Sequence, residues 1–417
     1  MKYLPRVVDS QLATLLEAMG GVLIEGPRAC GKTATGSRLA LSSLRFDASP
    51  ELVRLAELDP VDLLRGPAPR LIDEWQLAPG IWNVIRHEID ARQAPGQFII
   101  SGSATPRPDK VRHSGAGRIA RMRMRPMALA ESGYSSGDVS LAALALGQDK
   151  VAGRGSLTYA DLAREAVRGG WPGLTEASLG AAVRFNRSYC EDLTAVDVPH
   201  ATGVRHEPVR LRRLLAALAR ALATEATLKT LAADVSADGQ PSDPGTIRDY
   251  LDALTTVFAY EELPAWSVSL RSRSRLRTSP RIHLADPALA LAALGTGADR
   301  LAHDPAYFGQ VFEAMAVRDL RVYAGALDGA VYHYRDNTGL EVDAIVELPD
   351  WSWGAAEVKL GSVEVPKAEA NLMKLRDQRV DTDKVGEPRF LAVITGAEYA
   401  YTLPSGVHVI PLSALSA

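Results

Sequence analysis

Short apolar runs separated by helix-like stretches dominate the first third of the chain. The runs occupy residues 22–25, 70–73 and 98–101, and each is bounded by Gly, Pro or Asp. Residues 81–91, between the second and third runs, have the apolar spacing of a helix. Wholly apolar strands that alternate with helices are typical of a parallel sheet covered on both faces. The pattern therefore predicts a parallel α/β domain over residues 1–135.

The pattern changes twice along the rest of the chain. Residues 136–157 are rich in Gly, Ser and Asp and predict a linker, whereas residues 158–295 predict a helical region rich in Ala and Leu. Within that region, residues 225–285 have the order helix, loop, helix, hairpin, which predicts a winged-helix unit whose second helix begins at Pro244. Residues 296–417 predict a separate C-terminal α/β unit. A chain of 417 residues is too long for one hydrophobic core, in keeping with several domains.

Composition and charge restrict the functions that fit. The net charge is −3, so any contact with nucleic acid requires a local basic patch. Two cysteines are too few for a disulfide framework. The N-terminus lacks the apolar run of a signal peptide, and no apolar stretch is long enough to span a bilayer. These features predict a cytoplasmic protein without a membrane partner.

A glycine-rich motif follows the first apolar run and opens a predicted helix. It matches the pattern G-x-x-x-x-G-K-[ST] at every position. In such loops the backbone N–H groups surround phosphate oxygens, the lysine reaches the β- and γ-phosphates, and the hydroxyl binds Mg²⁺. A chance glycine-rich turn is the alternative, but it does not explain the strand before the motif and the helix after it. The predicted site for ATP and Mg²⁺ comprises Gly26, Pro27, Arg28, Ala29, Cys30, Gly31, Lys32 and Thr33.

Two acidic residues at the end of the next apolar run complete this prediction. Asp73 is placed to face Mg²⁺, and Glu74 is placed to polarise the attacking water as general base. Paired carboxylates after an apolar run also occur in ordinary surface turns, so their position about forty residues after the glycine-rich motif is what favours a catalytic role. Ser101 and Ser103, at the end of the third run, could sense the γ-phosphate, hold the water, or be plain turn residues.

These motifs resemble those of one group of bacterial and archaeal AAA+ ATPases, whose second half is an uncharacterised domain similar to PD-(D/E)xK nucleases. Residues 3–6, 71–80, 98–104 and 279–290 also fit that group. The resemblance implies a ring or other oligomer in which a neighbour's arginine completes the ATP site. Arg118 is the first candidate for that arginine and Arg121 the second. Alternatively, Arg121, Arg123 and Arg125 form one basic strand face that binds phosphate or is merely solvated.

The C-terminal unit carries the second set of candidate residues. Residues 306–321 predict an amphipathic helix that includes Glu313, and residues 331–335 and 340–347 predict a hairpin with Asp343 on its outward face. Glu357 and Lys359 share one face of the following strand. Asp343 followed by Glu357-Val358-Lys359 has the order and spacing of a PD-(D/E)xK nuclease site, in which Glu313, Asp343 and Glu357 would bind Mg²⁺ and Lys359 would orient the water. A solvated charged face would give the same pattern.

The predicted hairpin of the winged-helix unit contains alternating arginines, which place four guanidinium groups on one strand face. Such a strip suits contact with DNA phosphates, although charge on an edge strand also prevents aggregation. The arginines are Arg271, Arg273, Arg275 and Arg277.

Two functional hypotheses follow from the sequence. In the first, an ATPase couples its nucleotide state to a DNA-binding half that could also cut DNA. In the second, ATP and ADP control the assembly of a signalling switch, and the nuclease-like domain is catalytically silent and binds a partner.

Overall fold

The computed structural model of the protein describes residues 3–104, 114–202, 207–236, 242–267 and 279–417. The predicted arginine strip at 271–277 lies outside these ranges.

The N-terminal unit is built on a five-stranded parallel sheet, as its apolar runs predict. The strand order is β2-β3-β4-β1-β5, so the glycine-rich motif follows a central strand. The strands are β1 (Gly21–Glu25), β2 (Ser42–Arg45), β3 (Arg70–Asp73), β4 (Phe98–Gly102) and β5 (Ile119–Arg123). The helices are α1 (Val8–Ala18), α2 (Lys32–Leu39), α3 (Pro50–Leu58), α4 (Pro60–Leu63) and α5 (Ile81–Arg92). In a parallel sheet all carboxyl ends meet at one edge, which brings the motif, Asp73 and Ser101 together.

Residues 136–157, which the composition predicts to be a linker, contribute secondary structure to the C-terminal unit. They form β6 (Val139–Ser140), α6 (Leu141–Ala145) and β7 (Gly153–Arg154). Strand β6 pairs with the last strand of the chain, and β7 pairs with a strand near residue 400. The Gly and Ser content therefore reflects tight turns between short strands rather than a free connection.

The middle region is helical and includes a two-stranded antiparallel pair, β8 and β9, which follows the helices α11 and α12 in the predicted order. A five-residue π-helix at Leu193–Asp197 joins α8 to α9. In α12, which begins at Pro244 as predicted, Ile247, Leu251 and Leu254 are buried. The elements are α7 (Tyr159–Arg168), α8 (Leu179–Asp192), α9 (Val198–Thr202), α10 (Pro208–Arg220), α11 (Leu228–Val235), α12 (Pro244–Thr256), β8 (Tyr260–Leu263), β9 (Arg281–Leu284), α13 (Pro287–Ala293) and α14 (Ala298–Ala302).

The C-terminal unit is a seven-stranded mixed sheet in the order β10-β11-β12-β13-β15-β14-β7, packed against one long helix. Its helices are α15 (Pro305–Gly325), α16 (Val365–Lys374) and α17 (Thr382–Val385). Its strands are β10 (Ala330–Arg335), β11 (Glu341–Glu347), β12 (Trp353–Lys359), β13 (Leu391–Thr395), β14 (Tyr399–Thr402), β15 (His408–Pro411) and β16 (Leu415–Ser416).

One hydrophobic cluster and a buried ionic network connect the three units, and the N-terminal and C-terminal sheets each have a further apolar cluster on their other face. A single cluster of buried apolar residues runs from α1 through the helical region to β16. Within it, the fully buried Arg318 pairs with Asp286 at 2.8 Å and with Asp319 at 2.7 Å. Asp286 also accepts from the backbone N–H of Gly170, and Asp319 from that of Leu129. The network thus ties the C-terminal helix to the other two units.

Candidate functional site

The glycine-rich loop passes very close to the neighbouring edge strand. A Cβ added at Gly26 would lie 2.1 Å from the carbonyl oxygen of Met124, so only glycine fits there. Ala29 and Gly31 have φ values of 61° and 105°, in the left-handed region where a side chain is unfavourable except in special turns. The loop then runs directly into α2, whose N-terminus favours negative charge. This backbone has the shape of a phosphate-binding loop.

Lys32, Thr33 and Asp73 lie together at the carboxyl edge of the sheet. The Lys32 Nζ donates to the carbonyl oxygens of Gly26 and Pro27 at 2.9 and 2.8 Å, which holds the ammonium inside the loop. The Thr33 hydroxyl donates to Asp73 Oδ1 at 3.0 Å. Asp73 is 2% exposed. A hydroxyl and a carboxylate in contact beside such a loop are the protein oxygens that Mg²⁺ accepts, so the residues present fit the ion.

The two predicted serines contact the two acidic residues. Ser101 is fully buried and donates its hydroxyl to Asp73. The Ser103 hydroxyl donates to Glu74 Oε2 at 3.3 Å. The serines therefore orient carboxylates, a contact that the sequence pattern does not specify.

Glu74 has an unusual backbone conformation for a non-glycine residue, with φ of 52° and ψ of 44°. Its carboxylate accepts from the Gln76 side-chain amide as well as from Ser103. Strained backbone conformations are concentrated at functional sites. The side chain is held next to the glycine-rich loop's cavity, as a general base would need to be.

A cavity of about 580 Å³ opens beside these residues. Its lining combines Glu74, Gln76 and Ser103 of the N-terminal unit with Tyr189, Asp197 and His200 of the helical region. Arg28 of the glycine-rich loop forms an ion pair with Asp197, and the Tyr189 hydroxyl donates to the Arg28 carbonyl oxygen at 3.4 Å. Burial raises the pKa of Asp197, against the effect of Arg28.

Tyr189, Asp197 and His200 cannot be predicted from the sequence pattern, since nothing in the spacing of a helical region indicates which turn will face the loop. Asp197 lies in the π-helix, and π-helical turns within helices are frequent at functional sites. The helical region thus contributes directly to the cavity beside the glycine-rich loop.

Arg118 lies at the opposite end of the sheet from the glycine-rich loop of its own chain. The residue after it, Ile119, pairs with Gly21, the first residue of β1, whereas the loop follows the last residue of that strand. At about 3.3 Å per residue, the length of β1 separates the two by roughly 15 Å. The Arg118 guanidinium is partly exposed and pairs with Asp90 at 2.7 Å. It therefore cannot reach the phosphate site of its own chain.

The basic face of β5 is present, but its arginines have specific partners. Met122 and Met124 are buried on the other face, as the alternation predicts. Arg121 pairs with Glu25, whereas Arg123 and Arg125 both pair with Glu261 of the hairpin strand β8. The face is a domain junction, not only a solvated surface.

The predicted residues of the C-terminal unit also converge. Lys359 Nζ lies 2.8 Å from Glu357 Oε2 and 3.2 Å from Asp343 Oδ2. Glu357 also accepts from Asn371 at 3.1 Å. Asp343 and Glu357 are 7% and 2% exposed, so the pair is buried rather than a solvated charged face.

A β-bulge places Asp343 in this cluster and changes the predicted alternation. Tyr332 pairs with Ile345 while Tyr334 pairs with Val342, so β11 has one extra residue. As a result, Val342 and Ile345 pack in an apolar cluster of the C-terminal unit, whereas Ala344 packs in the cluster that connects the three units. Regular alternation along residues 340–347 would place Val342 and Ala344 on one face of the strand. The bulge separates them, since it shifts the side-chain period by one residue.

The side chain of Arg281 holds this site together, and the sequence pattern does not predict it. Arg281, at the start of β9, is buried and pairs with Glu313 at 2.5 Å, Asp343 at 3.0 Å and Glu341 at 3.1 Å. The sequence offers only a weak signal, because Arg281 opens the short segment Arg-Ile-His-Leu-Ala at residues 281–285, shortly after four other arginines. Only the fold shows that it lies between the two carboxylates. Glu313 is thus linked to Asp343 through a guanidinium group.

The charges in the cluster shift the pKa values in opposite directions. Burial and then the charge of Asp343 raise the pKa of Glu313 and of Glu357 to about 8. Burial alone would raise the pKa of Asp343 too, but the charges of Lys359 and Arg281 lower it to about 2. The cluster thus favours the ionised form of Asp343, whereas burial and the charge of Asp343 favour the protonated forms of Glu313 and Glu357.

As arranged, the C-terminal carboxylates do not fit a metal ion. In the described ranges, no group of three or more His, Cys, Asp or Glu side chains is placed to hold one. The positive groups of Arg281 and Lys359 lie where a cation would have to bind.

The described ranges contain no helix with the length and apolar character needed to cross a membrane.

Comparison with known proteins divides the chain in three. Residues 20–133 match the AAA domain family, residues 159–300 match a domain of unknown function (DUF8612), and residues 308–415 match another (DUF4143). Two uncharacterized proteins, from Mycobacterium tuberculosis and Mycobacterium bovis, are each 27% identical over 97% of this chain and 83% of their own length.

Among solved structures, a Walker-type ATPase of Pyrococcus abyssi is 14% identical and covers 70% of this chain and 96% of its own, at a TM-score of 0.41. The similarity of the whole folds is loose at that score. The match of residues 20–133, which contain the loop, Asp73 and Glu74, supports an AAA-like ATPase.

Proposed function

We propose that this protein binds and hydrolyses ATP with Mg²⁺ at the carboxyl edge of the N-terminal sheet. The observation that carries the proposal is the contact of Thr33 with Asp73 at 3.0 Å, directly beside the loop that encloses Lys32. The match to the AAA domain family covers the same residues.

Each residue of the site has a distinct task in this proposal. The backbone of residues 26–33 and the N-terminus of α2 bind the phosphates, and Lys32 neutralises the charge of the γ-phosphate. Thr33 and Asp73 would hold Mg²⁺, which when bound neutralises charge on the phosphate oxygens. Ser101 fixes the rotamer of Asp73 by its hydrogen bond. Glu74, held by Gln76 and Ser103, accepts the proton of the attacking water.

In this proposal, the bound nucleotide affects the position of the helical region through the ion pair of Arg28 with Asp197. Arg28 belongs to the loop, and its partner Asp197 belongs to the helical region across the cavity. A phosphate group that draws Arg28 toward the loop would release Asp197, because one guanidinium cannot keep both partners in full contact. The nucleotide is thereby coupled to the position of α8 and α9.

Self-association completes the site in the proposal. Arg118 is too far from its own loop but is partly exposed at the other end of the sheet. A second copy could therefore present Arg118 to the γ-phosphate, where an arginine stabilises transition-state charge.

Hydrolysis is tested with two variants and one control. Lys32→Ala should lose ATP binding, because the phosphate charge loses its partner. Glu74→Gln should bind ATP normally and turn it over at least about a hundredfold more slowly, because only the general base is lost. The exposed helix variant Glu57→Gln should match the wild type. Unchanged ATP affinity in Lys32→Ala would refute the phosphate-site assignment.

Assembly is tested by mixing. Arg118→Ala should bind ATP but hydrolyse it poorly. Adding Glu74→Gln protein should restore activity, since a mixed interface pairs an intact Glu74 with an intact Arg118. Absence of rescue in oligomers shown to be mixed would refute a role of Arg118 across an interface.

A second candidate function, Mg²⁺-dependent cleavage of DNA, concerns the C-terminal unit. It is favoured by the convergence of Asp343, Glu357 and Lys359 in one buried cluster. The ion pairs of Arg281 argue for the alternative, a silent domain that binds a partner under nucleotide control. As arranged, the carboxylates do not fit a metal ion, so they do not by themselves account for a cleavage step.

Plasmid cleavage in Mg²⁺ or Mn²⁺, measured with and without ATP, distinguishes a nuclease from a silent domain that binds a partner. Cleavage that disappears in Asp343→Asn while ATP turnover persists would establish a nuclease. Absence of cleavage, together with ATP-dependent assembly, would favour the switch. DNA affinity is measured in the same series, and a dependence on salt would indicate contact with phosphates.

A further inference from the structure

Three arginines from two different units converge on one buried carboxylate. Glu261 on β8 accepts from Arg123 at 2.7 Å, from Arg125 at 3.0 Å and from Arg321 at 2.9 Å. Arg123 and Arg125 extend from the edge strand of the N-terminal sheet, and Arg321 from the long C-terminal helix α15. We call Arg123, Arg125 and Arg321 the arginine trio. Because three positive charges face one negative charge, the junction carries an excess of positive charge.

The trio is enclosed rather than spread over a surface. The side chains of Arg123 and Arg125 are 28% and 22% exposed, and that of Arg321 is 9% exposed. Burial, together with the charges of Arg125 and Arg123, lowers the pKa of Arg321 to about 10 despite the attraction of Glu261. A guanidinium whose pKa falls in this way lacks enough negative charge around it.

Much of the hydrogen-bonding capacity of the trio is not used by the described part of the chain. Arg125 donates only its Nε–H to Glu261, and within the described ranges its terminal nitrogens donate no hydrogen bond. Arg123 gives Glu261 Nε–H and one terminal N–H, and it stacks on the Phe258 ring at 4.2 Å. Terminal guanidinium nitrogens are the donors that bind phosphate oxygens in pairs.

A cavity of about 370 Å³ lies against the trio. Five arginines line it, and none of its lining residues is acidic. Two of these arginines, Arg6 and Arg121, already pair with Glu131 and Glu25. The excess charge at the cavity therefore comes from the trio. On its other side the trio borders a wider cavity of about 1120 Å³, where Lys229 and Arg248 add positive charge and Asp252 and Glu262 add negative charge.

We propose that the arginine trio is a binding site for an anion with two or more phosphate groups, seated in the 370 Å³ cavity between the N-terminal and C-terminal units. Phosphate groups would supply the negative charge that Glu261 alone does not, and guanidinium forks match their oxygens. This cavity and the 580 Å³ cavity beside the glycine-rich loop share no lining residue, although Arg6, which lines the former, donates to the Cys30 carbonyl oxygen of the loop at 2.7 Å. The phosphates belong either to a small free compound or to a nucleic-acid backbone.

The test uses the full chain carrying Lys32→Ala, so that the glycine-rich loop does not add phosphate binding of its own. Inorganic tripolyphosphate is titrated by calorimetry, and a fluorescent single-stranded oligothymidylate by anisotropy. Arg123→Gln and Arg125→Gln should each weaken binding by about tenfold or more, the loss typical of one charged hydrogen-bonding group. Arg376→Gln is the matched control, because Arg376 is 29% exposed and also pairs with an acidic neighbour, Asp377.

The reciprocal change guards against loss of folding in the arginine variants. Glu261→Gln removes the competing carboxylate, so it should bind tripolyphosphate more tightly than its parent and gain more thermal stability from it. Binding of tripolyphosphate alone would identify a small phosphate compound as the ligand, and binding of both probes would identify a nucleic-acid backbone. Failure of the parent to bind either probe would overturn the proposal, as would equal affinity in the Arg123, Arg125 and Arg376 variants.

Discussion

Replacing Arg281 by methionine should show whether the carboxylate cluster of the C-terminal unit can bind a cation. Methionine keeps much of the side-chain length but removes the guanidinium that contacts Glu313 at 2.5 Å and Asp343 at 3.0 Å. Both acids are largely buried, with side chains 17% and 10% exposed. The variant leaves Lys359 as the positive group that faces Asp343.

The size of the effect follows from burial. A close charge pair in a medium of effective dielectric about 20 is worth about 4 kcal/mol at 4 Å. Part of that is recovered because the guanidinium no longer has to be buried, and breaking one side of a buried pair costs about 3–5 kcal/mol on balance. The contact with Glu341 adds little, because that side chain is 44% exposed. We therefore expect a loss of about 3–5 kcal/mol.

The loss should depend on pH. With Arg281 present, the pKa of Glu313 is about 8, and without that positive charge it should be higher still. Below this value Glu313 takes up a proton and the repulsion from Asp343 disappears. The variant should therefore lose more stability at pH 9 than at pH 6.

A divalent cation should replace the positive charge that the Arg281 guanidinium supplied. A ligand at about a hundred times its Kd stabilises the native state by about 2.7 kcal/mol, so Mn²⁺ should raise the melting temperature of Arg281→Met well above its effect on the wild type. Arg335→Met is the control, because Arg335 is 44% exposed and pairs with Glu225. Its stability should change by less than about 1 kcal/mol. An equal response to Mn²⁺ in both variants would refute the view that Arg281 stands in a cation site.

Three further predictions follow from other contacts. Glu313 has a folded pKa of about 8, above that of an exposed glutamate, so the native protein binds this proton more readily than the unfolded chain and loses stability as pH rises from about 5 to 8. In thermal melts across that range Glu313→Gln should give a flatter curve than the wild type, and parallel curves would contradict this. Arg318→Met should cost about 3–5 kcal/mol by leaving Asp286 and Asp319 buried without their cation, and circular dichroism melts would check it. Gly26→Ala should abolish ATP binding, because its Cβ would meet the Met124 carbonyl oxygen at 2.1 Å, whereas Gly309→Ala, with open space at its Cβ, should bind as the wild type does.

The candidate phosphate site is determined almost entirely by local sequence. Residues 26–33 carry the loop, and its shape depends on glycine at two positions within eight residues. The strands that end at Asp73 and Ser101 are marked by short apolar runs, and parallel pairing places their ends at one edge. Since each of these signals acts over a few residues, sequence patterns are sufficient to locate them.

The alternation of side chains was reliable only where strands are regular. In β5, Met122 and Met124 are buried on the face opposite the three arginines, and in β12 Glu357 and Lys359 share a face and touch. In β11, however, the bulge between Val342 and Ile345 breaks the period of two. A bulge depends on how a partner strand pairs, so the sequence of one strand does not specify it.

Short-range features of this protein can be predicted from its sequence: the apolar strands, the glycine-rich loop, and the order of Asp343, Glu357 and Lys359. The contacts between distant charges depend on the tertiary structure. Arg281 lies between Glu313 and Asp343, Asp197 reaches Arg28, and one carboxylate, Glu261, collects the arginine trio. Such contacts join residues that are far apart in sequence, and their energies depend on burial and on neighbouring charge, which are set only when the units pack together.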